Sequence, residues 1–127
     1  MIEELKKVQN FHQTFQQTDA EKPTLVDAEV YHLRYKLMDE ENIEYAEACI
    51  KGDIVEIADA LGDQLYILCG TILKHGLQHK IVEVFNEIHD SNMSKLGVDG
   101  KPIFREDGKI LKGPGYFKPD IKKILDK

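Results

Sequence analysis

Between Ile54 and Lys74 the chain reads IVEIADALGDQLYILCGTILK, apolar on nearly every side. Its only charges before Lys74 are Glu56, Asp59 and Asp63. A helix of this kind needs neighbours around its whole girth. The segment therefore predicts a multi-helix fold with itself at the centre, as the most buried helix of the set. Its ends are marked as well. Lys51-Gly52-Asp53 supplies a helix stop followed by an N-cap, and His75-Gly76 closes the far end.

The rest of the chain up to residue 94 supplies the neighbours. Residues 2–17 place Leu5, Val8, Phe11, His12 and Phe15 at helical spacing, and TDAEKPT then reads as a turn. From about Asp27 to Ile50, Val30, Leu33, Leu37, Met38, Tyr45 and Ala48 recur every three or four residues. A fourth helix is expected from about Gln78 to Ser94. Four helices with short connections imply an all-α fold, an antiparallel four-helix bundle. Beyond it, the segment LGVDGKPIFREDGKILKGPGYFKP is rich in Gly, Pro and Asp-Gly. It predicts loops, a small hairpin pairing Pro-Ile-Phe-Arg with Lys-Ile-Leu-Lys, and a short helix at 119–126. At 127 residues the whole is expected to be one domain, a helical core over 2–94 and a basic tail over 95–127.

Charge separates the regions. The chain carries 17 bases and 23 acids, a net charge of −6. Residues 27–63 hold three bases against eleven acids, and residues 91–127 hold nine bases against five acids. Neither region is the basic stripe that nucleic acid requires. Cys49 and Cys69 fit no disulfide framework or zinc spacing and read as small apolar residues of a reducing compartment. MIEELKKVQN lacks a signal-peptide core, and no apolar run is long enough for a membrane span. A soluble cytoplasmic protein is expected, with no nucleic-acid or membrane partner.

The acids of the central helix demand an explanation. At about 100° per residue, Glu56, Asp59 and Asp63 fall within about 60° of one another, flanked by apolar residues on both sides. They are expected to face into protein. The preceding helix offers a matching set in Glu40, Glu41 and Glu44. Carboxylates gathered in a water-poor space lose hydration and repel one another unless a cation neutralises them. Mg²⁺, which takes a few carboxylates and leaves the rest of its shell to water and phosphates, suits such a set, with Mn²⁺ as a substitute.

The string EENIE (Glu40, Glu41, Glu44), followed after eleven residues by EIAD (Glu56, Asp59), resembles the EExxE and ExxD signature of the all-α NTP pyrophosphohydrolases, the MazG-like superfamily. Dimeric dUTPases, dCTP pyrophosphatases and phosphoribosyl-ATP pyrophosphohydrolases belong to that superfamily. EIADALGDQLYILCGT is similar to its third helix throughout. The resemblance implies Glu41, Glu44, Glu56 and Asp59 as Mg²⁺ ligands and Glu40 as the group that orients the attacking water. Asp63, on the same stripe, is the alternative for that catalytic role or a further ligand. The implied reaction is hydrolysis of a nucleoside triphosphate between its α- and β-phosphates, giving a monophosphate and pyrophosphate, in nucleotide-pool cleaning. It also implies a homodimer or homotetramer.

IHDSNMSKLGVDG and REDGKILKGPGYFKPD resemble a C-terminal region of one subset of these proteins, which implies that Asn92, Lys95, Lys109 and Lys112 reach the substrate phosphates. The same tail departs from phosphoribosyl-ATP pyrophosphohydrolases, which are more compact, so that activity ranks as an alternative. His12 and Phe11 could line a base pocket or pack in the core, and Arg34 could pair with an acid of its own helix or a phosphate. A non-hydrolytic carboxylate-bridged metal bundle is a further alternative. It expects two Glu-x-x-His motifs, and the chain has one, Glu29 to His32, roughly 13 Å before Glu41. The preferred base is not legible in these motifs.

Overall fold

A computed structural model describes residues 1–127. The architecture is all-α. It comprises α1 (Glu3–Thr14), α2 (Ala28–Lys51), α3 (Ile54–Lys74), α4 (Ile81–Met93), the strands β1 (Ile103–Phe104) and β2 (Ile110–Leu111), and α5 (Ile121–Leu125). The chain divides into two compact units, Met1–His79 and Lys80–Lys127. That division falls before α4, whereas the change in composition falls after residue 94.

In the first unit α2 and α3 form a tight helical hairpin. Asp27 caps α2 by accepting the Val30 N–H at 3.2 Å. The helix stops at Gly52, whose φ of +70° allows its N–H to close on the Ala48 and Cys49 carbonyls. Asp53 then starts α3 by accepting the Val55 and Glu56 N–H groups. Two residues thus reverse the chain. Cross-links confirm the antiparallel register, because Asn42 meets Gln64 and Arg34 meets Ile67 and Thr71. As the number falls on α2, it rises on α3.

α1 packs on α3, burying Leu5 and Val8 with Cys69 and Leu73. Leu5 and Leu73 are fully enclosed. A polar cluster crosses this layer. His12, buried, bonds through Nδ1 to Asp19 at 2.7 Å, and Lys74 Nζ stands 3.8 Å from the same carboxylate. Arg34 is 6% exposed and donates to Thr71 Oγ1 at 3.0 Å and to the Ile67 carbonyl at 2.8 Å. It therefore pairs with α3, not with an acid of its own helix. Burial pulls its pKa down, and the Asp19 charge opposes that pull. The segment between α1 and α2 is bolted to the end of α3. Ala20 N–H reaches the Leu73 carbonyl, Thr24 N–H the His75 carbonyl, and Lys74 Nζ the Thr18 carbonyl at 2.7 Å.

One expectation fails in part. α3 contributes more buried residues than any other helix, yet Val55 is 74% exposed, and Ile54, Leu61, Leu65 and Leu68 are exposed as well. Periodicity shows that a face needs covering, but it does not say what covers it.

In the second unit, β1 and β2 pair with Ile103 opposite Leu111 and Phe104 opposite Ile110, as the hairpin reading predicts. Buried Ser91 of α4 donates to the Phe117 carbonyl at 2.8 Å, and Ser94 Oγ accepts the Phe117 N–H. Ile124 of α5 is buried. α4 is shorter than expected, since residues 78–80 form a turn.

Candidate metal centre

The acids of EENIE lie on α2 at a spacing of three residues, which points Glu41 and Glu44 the same way. The antiparallel turn brings the first half of α3 against them. One carboxylate oxygen from each of Glu41, Glu44 and Asp63 falls within 4.8 Å of the other two. Glu41 and Asp63 are half-buried and Glu44 is exposed. Glu41 Oε2 is enclosed and has no hydrogen-bond partner. Burial first, and then the charges of Glu44 and Asp63, push the Glu41 pKa above the ordinary value of 4.5. Three converging carboxylates, one of them with an orphaned buried oxygen, fit a divalent cation with room left in its shell.

Glu56 and Asp59 line an adjoining cleft of about 290 Å³ together with Glu44, Glu47 and Lys51. Glu44 is thus common to both groups. Glu56 and Asp59 are exposed, which corrects the expectation that the α3 acids face into protein. The single turn Gly52-Asp53 leaves this end of the hairpin open to solvent. Lys51 Nζ stands 3.3 Å from Glu56 Oε2 and neutralises part of the cleft. Glu40 is exposed and belongs to neither group. Glu47 also lines the cleft and is absent from the acidic sets singled out in the sequence. Its place three residues after Glu44 was the available signal for the cleft.

Asn92, Lys95, Lys109 and Lys112 all lie in the second unit. The Lys95 N–H bonds to the Asn92 carbonyl, and the Lys95 carbonyl accepts the Gly113 N–H at 2.8 Å. This sets the backbone of Lys95 beside the residue that follows Lys112. Lys112 Nζ lies 4.6 Å from the centroid of the Tyr116 ring. Lys109 follows the hairpin turn, where its N–H bonds to Asp107. On α1, His12 is spent on Asp19, while Phe11 packs against Phe15 and Tyr66.

Residues 8–92 match the family described as phosphoribosyl-ATP pyrophosphohydrolase. A solved structure from Exiguobacterium sp. 255-15, a candidate NTP pyrophosphohydrolase, aligns with a TM-score of 0.52 at 25% identity. The alignment covers 98% of this chain and 95% of that one, so it includes residues beyond the family match. No curated protein matches the sequence. The fold and the carboxylate cluster define a hydrolase of phosphoric anhydride bonds from a typically metal-dependent group. The chain belongs to the phosphoribosyl-ATP pyrophosphohydrolase family, within the MazG-like superfamily.

Proposed function

We propose that the protein is a Mg²⁺-dependent nucleoside triphosphate pyrophosphohydrolase, one domain that cleaves a (d)NTP between the α- and β-phosphates to a (d)NMP and pyrophosphate. The observation that carries this reading is the convergence of Glu41, Glu44 and Asp63, with Glu41 Oε2 buried and unpartnered. These three form the first cation cradle, and Glu56 and Asp59, joined to it through Glu44, form the second. Bound Mg²⁺ would supply charge neutralisation for the polyphosphate and acidify water.

The chain's own groups do the rest. Glu40, free of both groups, orients the attacking water and takes its proton. Water adds at phosphorus, the α–β anhydride bond breaks, and the electron pair leaves with pyrophosphate. The family resemblance assigns the substrate phosphates to Asn92, Lys95, Lys109 and Lys112. The exposed apolar residues of α3 support a homodimer or homotetramer.

Phosphoribosyl-ATP is the second substrate reading, supported by the family match over residues 8–92. The tail beyond that match, which the Exiguobacterium alignment takes in, supports the nucleotide reading instead. Pyrophosphate release should be measured with Mg²⁺ over a panel of canonical and modified NTPs that includes phosphoribosyl-ATP. Turnover of one or more NTPs, abolished by Glu41→Gln and by Asp59→Asn, is expected. Exclusive turnover of phosphoribosyl-ATP would select the second reading, and unchanged turnover in both variants would remove the mechanism.

A further inference from the structure

Lys51 is the one base lining the cleft that Glu44, Glu47, Glu56 and Asp59 form. Two other bases fall in the acidic stretch 27–63. Arg34 is buried and bonded to Thr71 and Ile67, and Lys36 lies roughly 22 Å back along α2. The cleft therefore sets a single ammonium against four carboxylates.

The helix places Lys51 there. Glu44, Ala48 and Lys51 sit at i, i+4 and i+7 on one stripe of α2, and Lys51 is its last residue. Its stem starts at the open end of the hairpin, beside the Gly52-Asp53 turn, and puts Nζ 3.3 Å from Glu56 Oε2. The pair is loose, because the Lys51 side chain is 63% exposed and that of Glu56 48%. Ion pairs this open to water are weak and exchange readily.

Glu56 cannot serve two cations equally. When its oxygens turn to a divalent cation, the ammonium beside them meets like charge and loses its partner. A phosphate held by that cation supplies the replacement charge, and the flexible four-carbon stem of lysine lets the ammonium swing to it without moving the helix. We infer that Lys51 is a further substrate-binding residue, a counter-ion of Glu56 in the free protein that passes to the polyphosphate when the cleft is loaded. Unlike Asn92, Lys95, Lys109 and Lys112, it belongs to the first unit, on the same hairpin as the acids. The inference rests on the nucleotide reading of those acids.

Two calorimetric titrations of the protein test it, and their expected effects have opposite signs. With Mn²⁺ alone, Lys51→Met should bind the ion about twofold to fivefold more tightly than wild type, since the competing ammonium is gone. With Mg²⁺ and a methylene-bridged triphosphate, which water cannot cleave, the same variant should bind about tenfold more weakly, through loss of one charge-assisted hydrogen bond. Lys51→Arg should stay near wild type in both. In turnover of whichever NTP wild type hydrolyses, Lys51→Met should raise KM by a similar factor and change kcat far less. Should Lys51→Met melt below wild type, Lys51→Gln gives the same comparison.

Lys36→Met removes an equal charge away from the cleft and should move none of these values. Equal effects from Lys36→Met would reduce Lys51 to part of a general field and overturn the contact. Unchanged binding of the methylene-bridged triphosphate by Lys51→Met, or Mn²⁺ bound no more tightly, would overturn it as well. Absence of hydrolysis of any nucleotide would remove the proposed reaction. With both opposite shifts intact, Lys51 would still stand as a polyphosphate ligand.

Discussion

Gly70 leaves the space that Arg34 occupies, since a Cβ on Gly70 would stand 2.6 Å from Arg34 Nη2 and 3.2 Å from His12 Nε2. The guanidinium is held from Thr71 and Ile67, so it cannot withdraw without abandoning buried partners. Gly70→Ala should therefore destabilise the fold by about 1–3 kcal/mol, the range for overpacking a tight core. Thermal melting would show it. An unaltered melting temperature would mean that Arg34 is free to move.

Gly76 and Gly52 both have positive φ, +66° and +70°, but their surroundings differ. A Cβ on Gly76 would meet the Lys22 carbonyl at 2.0 Å, whereas nothing lies within 4 Å of one on Gly52. Gly52→Ala should cost only the left-handed backbone penalty, roughly 1–2 kcal/mol. Gly76→Ala should cost clearly more and release the 15–27 segment, which a comparison of protease sensitivity would reveal.

Glu41 gives a pH prediction with a definite sign. Its carboxyl holds a proton to higher pH in the folded chain than in the unfolded one. Its contribution to stability is therefore largest below the ordinary value of 4.5 and is lost as pH rises through the raised folded pKa. Glu41→Gln should raise the melting temperature of the metal-free protein at neutral pH while abolishing turnover. Mg²⁺ must displace the proton, so stabilisation by Mg²⁺ should grow with pH in wild type and be smaller and less pH-dependent in the variant. Melting curves across pH, with EDTA and with Mg²⁺, would check both arms.

The exposed apolar side of α3 predicts self-association. Leu65→Glu should shift the sedimentation of the protein toward monomer, with the helical circular dichroism retained. Sedimentation at the monomer mass in wild type would leave Leu61, Leu65 and Leu68 without a partner surface.

Much of this was legible before any coordinates. The boundaries of α3 could be read directly because Gly52-Asp53 and His75-Gly76 leave the backbone no other local choice. The strand register followed from short apolar pairs around a turn. Asp63's place beside Glu41 was harder, since it depends on how the two helices are rotated about a two-residue turn, and sequence spacing within each helix says nothing of that phase. Arg34 shows the same limit. Its spacing reads as a charge among apolar neighbours, while its partners, Ile67 and Thr71, lie on the opposing helix. The 15–27 segment reads as an ordinary turn because its bonds to the end of α3 run mostly through backbone atoms, which any residue supplies.

The brevity of the α2–α3 connection reaches beyond packing. Every acid from Glu40 to Asp63 sits in one stretch of chain folded back on itself, so bringing the two halves together closes a very small loop and costs little chain entropy. The contacts that form the cradle are therefore local in the chain, all within one helical hairpin. The acids of the cradle travel together in any segment that carries both helices.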